Sequence, residues 1–360
     1  MGKLITSNLE LGAREAETVS AVIFERVFTE SDLAEYHEIE TGIDVKTQIA
    51  FAGRLGLLGK VADSTTGGCA PEESDGFTLS EKFWTPALEE FRLRHCQKDI
   101  DALLKMFRKA QRVNPDFFDA VGSQEFGVII AAVETALKEN IHRKVWFNEL
   151  DAKRVTDTPA GVFSANTDLD YFNSFDGLFK QISLAVNANK ITRIPVTANG
   201  NGSATYATQV LAEDAALSIF EKLVTTADER LVAADDAFIL VTRSLADNYR
   251  ATLRNKNLGS GFVEVVEQGR PKLYFDGIEV KVRYDWDRYI KTYQNNGTRY
   301  NQPHRAVFTT KSNIPVGTLS EQDLAKLDVF YDKTQKANFI DAAYTLDAKL
   351  LEEYMTIVAY

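Results

Sequence analysis

The apolar positions between residues 123 and 148 recur at steps of three or four, and this spacing predicts one long helix. The expected apolar face consists of Phe126, Ile130, Val133, Leu137, Ile141 and Val145. Ser123 is placed to cap the first turn, where Glu125 would favour the positive end of the helix dipole. Such a helix would be about 39 Å long. We therefore expect this helix to be a spine between an extended N-terminal part of the chain and a compact C-terminal part.

The chain before this spine shows helical patterns that are too short to form a closed core. Residues 13–27 carry one apolar face, made of Ala16, Val19, Ile23 and Val27. A second short helix is predicted over residues 32–40, with Gly42 as its C-terminal stop. This arm must pack on something else, and another subunit is one possibility.

A β pattern begins at Val45, since apolar and polar residues alternate from there to Phe51. A long polar, glycine-containing loop follows over residues 63–76. Further strands are predicted over residues 77–82 and 87–94, with Phe83, Trp84 and Pro86 between them. Together these segments predict a long two-stranded excursion. A lone hairpin is marginally stable in water, so we expect partners to stabilise it.

The segments around the spine complete the front half of the chain. A helix is predicted over residues 98–110, before the spine. After it come a strand near Val162 and a helix over residues 176–188. The Asn-Gly-Asn-Gly sequence at 199–202 indicates a turn or linker, and we place a domain change there.

The back half predicts an α+β domain, because helices and strands alternate before a hairpin. The helices are predicted over residues 209–227 and from a capping box at Ser244 and Asp247 to near Asn257. The strands are predicted over residues 237–242, 262–266 and 337–360. Asp276-Gly277 between two β runs is a strong hairpin signal.

Composition narrows the classes of protein that remain. With 360 residues, 44% of them hydrophobic, the chain can bury a large core in roughly two domains. A net charge of -11 without any basic block argues against strong general affinity for nucleic acid. No window approaches the uninterrupted apolar run of a membrane span, and no secretory signal pattern opens the sequence. We expect a cytosolic protein without a membrane span.

Motifs for metals and modification are weak. Cys69 and Cys96 form no CxxC pair, and with His95 they fit no common zinc-site spacing, so we interpret them as reduced structural cysteines. The glycosylation-like sequences at Asn201 and Asn296 are interpreted as turns.

Known catalytic patterns are absent from the sequence: it has no GxGxxG, Walker, GxSxG or HExxH motif. The histidines are scattered and are interpreted as packing or surface residues: His37, His95, His142 and His304. The acidic pairs Asp235-Asp236 and Asp285/Asp287 could bind a hard cation, but they lack an EF-hand pattern. Trp286, with Tyr284 and Tyr289, is interpreted as core or interface. We predict no catalytic, cofactor-binding or metal-binding residue.

The order of these elements resembles the major capsid protein of tailed bacteriophages, in its Hong Kong-type fold. The matching stretches are residues 45–94, 123–148, 175–182, 238–254, 306–310 and 328–332. The resemblance implies an α+β phage major capsid fold with an N-terminal arm, an extended β-hairpin loop, a peripheral domain that contains the spine helix, and an axial domain. The boundaries would be 1–44 for the arm, 45–96 for the loop, 97–198 for the peripheral domain with its spine at 123–148, 199–336 for the axial domain and 337–360 for the returning C-terminal strands.

The resemblance also implies a function. The chain would assemble through hexamers and pentamers into an icosahedral shell around phage double-stranded DNA, without sequence-specific binding. Its location would be the virion, assembled in the bacterial host cytoplasm. The implied partners besides itself are portal and decoration proteins, and a separate scaffolding protein or none, because arm, loop and first helix already use the 122 residues before the spine. The implied role is structural, with no enzymatic activity and no cofactor.

Subunit contacts are expected on the arm and the loop. The residues predicted to make them are Gly67, Gly68, Val19, Ile23, Phe83 and Trp84. Lysine-to-asparagine crosslinks between loops occur in the family, and Lys60 lies on the loop, but no motif supports a crosslink here.

Two alternatives stay open. An encapsulin-like nanocompartment shell shares the fold and would enclose a cargo enzyme instead of DNA. A soluble α/β enzyme would instead show convergent titratable residues in one pocket, which the sequence does not display.

Overall fold

The protein has an α+β fold in which a long helix lies between two sheets. The structure, a computed structural model, describes Val27 and residues 32–43, 45–49, 82–96, 124–200, 203–256, 263–264, 272–318, 328–332, 334 and 337–360. The helices are α1 (Asp32–Tyr36), α2 (Gln124–Phe147), α3 (Leu178–Asn187), α4 (Ala215–Thr226), α5 (Glu229–Val232), α6 (Arg243–Asn255) and α7 (Tyr284–Tyr293).

Fourteen strands lie in the described ranges. In chain order they are β1 (Ile39–Glu40), β2 (Thr47–Ile49), β3 (Lys82–Trp84), β4 (Ala87–Cys96), β5 (Arg193–Ile194), β6 (Ala237–Thr242), β7 (Val263–Glu264), β8 (Lys272–Phe275), β9 (Ile278–Arg283), β10 (Ala306–Thr310), β11 (Val316–Thr318), β12 (Asp328–Asp332), β13 (Ala337–Ala348) and β14 (Ile357–Ala359).

The spine helix is confirmed as α2. Of its predicted apolar face, Val133, Ile141 and Val145 are buried, and Leu137 packs against the same core. Trp146 near its C-terminal end is fully buried. The burial of one face over several turns explains why this segment is helical, since isolated helices gain most of their stability from packing.

A seven-stranded sheet forms the back of the molecule, in the order β5-β14-β10-β6-β9-β8-β7. Helices α4 and α6 pack against it, and their facing aromatic residues Phe220 and Tyr249 lie with ring centroids 5.1 Å apart. The predicted strand 237–242 is confirmed as β6, and all but its first residue are buried. The predicted hairpin is also confirmed, because Asp276 and Gly277 take the positive φ values of 50° and 79° that a tight two-residue turn requires.

A five-stranded sheet packs beside the spine. Its central strand β13 pairs with β4 on one side and with β12 and β11 on the other, and β1 adds to β11 in parallel. The C-terminal segment was predicted as strand material, and it supplies β13 to this sheet and β14 to the seven-stranded sheet. The two sheets are therefore joined by the last part of the chain.

Two predicted elements near the N-terminal side differ from the structure. The helix predicted over residues 32–40 ends at Tyr36, and Ile39–Glu40 pair with β11 instead. Gly42, with φ at 82°, follows that strand and does not stop a helix. Backbone pairing with β11 replaces the end of the predicted helix, since the amide of Val316 donates to the carbonyl of Glu38 at 2.8 Å.

The predicted excursion is also corrected. Phe83 and Trp84 are not between strands but inside β3, which pairs with β2. Strand β4 does not continue that hairpin. It pairs over its whole length with β13, so the two-stranded part is limited to Thr47–Ile49 and Lys82–Trp84. We call this pair the hairpin base.

Two further predictions need correction. Near Val162 the chain forms only an isolated bridge between Arg154 and Phe163, not a strand. The helix predicted from residue 209 begins at Ala215, after Asp214 in a left-handed conformation with φ at 59°. Of the strand predicted over 262–266, Val263–Glu264 form β7, and the other residues lie outside the described residues. The helix predicted over 176–188 is confirmed as α3.

The predicted capping box at Ser244 is wrong. Thr242 is the N-cap of α6, and its side chain makes no cap hydrogen bond. The amide of Arg243 instead donates to a carboxylate oxygen of Asp287 at 2.6 Å. A carboxylate from α7 therefore satisfies one of the free amides at the start of α6.

The contact between α2 and α3 depends on Gly177, and we predict that Gly177→Ala destabilises the fold. An added Cβ would lie 2.9 Å from the Lys144 carbonyl oxygen and 3.0 Å from the Asn148 nitrogen, both backbone atoms that cannot move aside. We expect the free energy of unfolding in urea to fall by about 1–3 kcal/mol. Leu184→Ala in the same helix is the control, because Leu184 is 51% exposed and its loss should cost less than about 0.5 kcal/mol. Equal effects would contradict this account of the contact.

Candidate assembly surface

The hairpin base has two different faces. Ile49 and Trp84 are buried against Ile43, so one face is fixed to the body of the chain. On the other face Phe83 is 38% exposed. The ammonium nitrogen of Lys46 lies 4.9 Å from the centroid of the Phe83 ring. Val45, just before β2, is 63% exposed. The base therefore presents an aromatic side chain and a cation close to the point where residues 50–81 connect.

Trp84 anchors the hairpin base to its own chain. Its indole is 1% exposed, and its Nε1 donates to Oε2 of Glu40 at 3.0 Å. The ring lies so close to Gly317 that an added Cβ there would be 2.9 Å from it. Of the two adjacent residues predicted to contact another subunit, Trp84 thus faces inward in this chain, and Phe83 faces outward.

A buried carboxylate holds the turn that follows β3. Oδ2 of Asp347, a side chain with no exposed surface, accepts from the amide of Thr85 at 2.7 Å and pairs with Lys349 at 3.0 Å. Burial raises the pKa of the Asp347 carboxyl, and these donors oppose that effect. At the start of β3, Lys82 donates to the carbonyl of Leu350 at 2.6 Å and pairs with Glu353 at 3.1 Å. The hairpin base is therefore held by the C-terminal segment as well.

The strand that leaves the hairpin base is joined to the spine by a buried ion pair. Lys144 of α2 and Glu89 of β4 form this pair, and the lysine side chain is 3% exposed. Burial lowers the pKa of Lys144, while the hydrogen bond to Glu89 raises it. Removing one partner would leave a buried charge uncompensated, so the pair fixes β4 against the spine.

The histidines hold structural positions. His37 is fully buried and His304 is 5% exposed, which confirms that these two are packing residues. Ser244 donates its hydroxyl hydrogen to Nδ1 of His304 at 2.7 Å, because Nε2 of the same ring donates to the carbonyl of Gln209 at 3.1 Å. Sequence reasoning missed this contact, since its members come from distant segments. None of the cavities described in the structure is lined by Ser244 or His304.

The acidic residues near α7 are also used internally. Asp285 pairs with Arg283 at 2.6 Å, and Asp287 caps α6. The interpretation of these aromatic residues as core or interface is confirmed for Trp286 and Tyr289, which are buried in the core. Tyr284 is 40% exposed. Across the described ranges no group of three or more His, Cys, Asp or Glu side chains is placed to hold a metal ion.

The described cavities differ in their charged lining. A cavity of about 680 Å³ beside the spine is lined by seven charged residues: Glu89, Glu90, Glu139, Arg143, Lys144, Asp170 and Arg288. A cavity of about 740 Å³ beside Tyr293 is lined mainly by amide, hydroxyl and aromatic side chains. Arg143 and Asp168 are the charged residues among its described lining. Among the described helices, none combines the length and the hydropathy needed to cross a bilayer.

Several predicted residues lie outside the described residues. Four of the predicted contact residues do so: Val19, Ile23, Gly67 and Gly68. The same holds for Lys60, Cys69, Asn201, the helix predicted over 98–110 and the side chains of His95 and Cys96. At Asn296 the predicted turn is present, since its side-chain oxygen accepts from the amides of Thr298 and Arg299.

The fold is that of phage capsid proteins. A chain of the satellite phage P4 procapsid, a particle that includes the size determination protein Sid, matches with a TM-score of 0.54 and 11% identity over 94% of this chain and 89% of that chain. Microbacterium phage Oxtober96 matches at 0.45 and 11%, over 91% and 89%. The SrpI encapsulin complex of Synechococcus elongatus matches at 0.46 and 9%, over 93% and 88%.

The match to the P4 procapsid chain defines the class of fold. The similarity to the P4 procapsid chain spans nearly the whole sequence, so the chain has the HK97-like fold of phage major capsid proteins, as the resemblance implied. No protein-family model and no curated protein matches the sequence. At this level of identity the match shows the fold alone.

Trp84 and Phe83 provide a direct test of the two faces. We expect Trp84→Ala to lower the free energy of unfolding by about 3–5 kcal/mol, because a large buried side chain is lost. Phe83→Ala should cost about 1 kcal/mol or less, since the ring is partly exposed. Urea unfolding monitored by circular dichroism measures both. A larger effect for Phe83 would contradict the assignment of the faces.

Proposed function

We propose that this chain is the major capsid protein of a tailed phage, and that it assembles with copies of itself into an icosahedral shell. The observation that carries this proposal is the hairpin base, on a chain with the capsid fold. One face of the base is fixed to the body by Trp84 and Asp347, and the other exposes Phe83 close to the point where residues 50–81 connect. Such an arrangement suits a loop that extends away from its own subunit.

The proposed assembly proceeds through hexamers and pentamers. Residues 50–81 and the N-terminal arm would pack on neighbouring copies, since ordering an extended segment costs entropy that only a partner surface can offset. We propose Phe83, with Gly67 and Gly68 of the loop and Val19 and Ile23 of the arm, as the contact residues. A closed shell requires that each copy gives and receives such contacts.

The proposed contents and partners follow from the same role. A net charge of -11 is consistent with a shell that confines double-stranded DNA without binding it tightly. We propose a separate scaffolding protein, a portal and decoration proteins as partners, the virion as the location, and the bacterial host cytoplasm as the site of assembly. The role is structural and does not require catalysis.

The encapsulin-like alternative shares the fold, so the contents of the particle distinguish the two. The test is electron microscopy with sedimentation velocity on the protein expressed alone and together with its neighbouring genes. Closed shells or free hexamers and pentamers are expected, with DNA inside particles from the complete gene set. Shells that enclose a co-expressed enzyme would favour the alternative. A monomer or dimer under every condition would contradict both and return attention to the soluble enzyme.

A charge at Phe83 should block assembly. Phe83→Asp places a carboxylate in the proposed apolar contact, and a cost of about 1.4 kcal/mol per contact would raise the concentration needed for assembly about tenfold. The free energy of unfolding of the chain itself should fall by about 1 kcal/mol or less, because the side chain is partly exposed. Leu150→Asp is the matched control, since Leu150 is 57% exposed and lies outside the hairpin base. Light scattering during assembly measures the effect, and normal assembly of the Phe83 variant would overturn the proposed contact.

A further inference from the structure

Two histidines meet one buried arginine where the N-terminal segment joins the spine. His37 follows α1, His142 lies on α2, and Arg283 ends β9 with 2% of its side chain exposed. Nη2 of Arg283 lies 3.2 Å from Nδ1 of His142, and the guanidinium carbon lies 4.6 Å from the centroid of the Tyr36 ring. Nη1 of Arg283 is buried without a hydrogen-bond partner. We call His37, His142 and Arg283 the arginine–histidine cluster.

The hydrogen bonds fix the protonation state of both rings. Nδ1 of His37 donates to the carbonyl of Ile314 at 2.8 Å, and Nε2 accepts from Nε1 of Trp146 at 3.2 Å, because a carbonyl only accepts and an indole only donates. Nδ1 of His142 must likewise accept, since a guanidinium only donates. Both rings are therefore neutral. A second proton on either would place a donor against a donor.

Few negative charges face the cluster. Asp285 of α7 pairs with Arg283. From α2, Lys138 adds positive charge near His142 and is paired with Glu134. From α1 and β9, Glu35 and Lys281 pair with each other at 3.2 Å. Tyr36 and Tyr289 contribute hydroxyl groups near Arg283. One carboxylate would thus have to balance three cations if both histidines were protonated.

The titration of the histidines follows from this environment. Burial, and then the charge of Arg283, lower the pKa of His37 to about 3, and the same causes lower the pKa of His142 to about 3. A group whose pKa is depressed in the folded state contributes stability that is complete above its ordinary pKa near 6.5 and is lost as the pH falls toward the depressed value. Between about pH 6.5 and 3, acid therefore weakens the contacts around the cluster.

The cluster holds the N-terminal segment, α1 and β1, to the spine. Beyond His37 the chain pairs with β11, and the amide of Val316 donates to the carbonyl of Glu38 at 2.8 Å. The ring of His37 lies 5.6 Å from that of Trp146 on the spine. One face of the seven-stranded sheet packs a hydrophobic core that contains none of these residues, while Phe238 and Leu240 on its other face share a core with Trp146. Loss of the cluster should detach α1 and β1 before the seven-stranded sheet opens.

We propose that the arginine–histidine cluster is a proton-sensitive latch: protonation of His37 and His142 detaches α1 from the spine and so frees the N-terminal arm while the seven-stranded sheet stays folded. The latch is a property of a single chain and does not depend on the proposed shell. In a shell, it would make the arm contacts sensitive to acid.

Hydrogen exchange measured against pH tests the latch on the full-length protein. The amides of His37 and Val316 report its opening, and those of β6 report the sheet. Two protonations predict that the opening equilibrium constant at His37 and Val316 rises about 100-fold for each pH unit below 6.5, after correction for intrinsic exchange. The amides of β6 should keep opening equilibrium constants smaller by about tenfold or more than those of His37 and Val316 over the first two units, because they exchange only when the sheet itself opens. Equal opening constants at all amides would indicate global unfolding and overturn the proposal.

Substitutions by asparagine separate the two histidines. Asparagine offers a donor and an acceptor but does not titrate, so His37→Asn and His142→Asn should each reduce the dependence to about tenfold per pH unit, and the double variant should abolish it. His304→Asn is the matched control, because His304 is buried elsewhere and should leave the 100-fold dependence unchanged. If His37→Asn does not fold, the His142→Asn variant tests the proposal alone. An opening equilibrium constant that still rises about 100-fold per pH unit in that variant would overturn the latch.

Discussion

The packing of Trp146 near the end of the spine helix is the interaction on which the arrangement of the other elements depends. Its ring centroid lies 4.6 Å from Trp286 of α7, 5.1 Å from Phe179 of α3 and 5.6 Å from His37. Aromatic contacts of this kind contribute about 0.5–1.5 kcal/mol each beyond the area they bury. Because these rings come from four distant segments, one fully buried indole sets the positions of the N-terminal segment, α3 and α7 relative to the spine.

The hairpin base lies at the boundary between contacts within the chain and contacts outside it. Trp84, Asp347 and the ion pair of Lys144 with Glu89 satisfy the inner side within one chain. The outer side keeps Phe83 exposed. A base held by its own chain would present residues 50–81 at a defined angle, which is a physical requirement for any subunit that must meet identical neighbours in a closed shell.

The elements that the sequence predicted well are those with a local signal. The spine, β6 and the Asp276-Gly277 hairpin follow from periodicity or turn chemistry, and the structure confirms each. The partner of β4 could not be predicted, because β13 lies near the other end of the chain. The capping box failed for a similar reason, since a carboxylate from α7 supplied the contact that local sequence assigned to Ser244. The arginine–histidine cluster joins three segments and has no local signal at all.

The central claim is that the hairpin base belongs to its own subunit while the loop beyond it belongs to a contact between subunits. The most direct test is a residue-resolved electron cryomicroscopy map of the protein assembled from the complete gene set. The account predicts that residues 82–84 pair with β2 and residues 87–96 with β13 of the same chain, and that residues 50–81 lie on a neighbouring copy, with Phe83 at the boundary. Residues 50–81 folded back on their own chain, with Phe83 facing solvent in the particle, would contradict it.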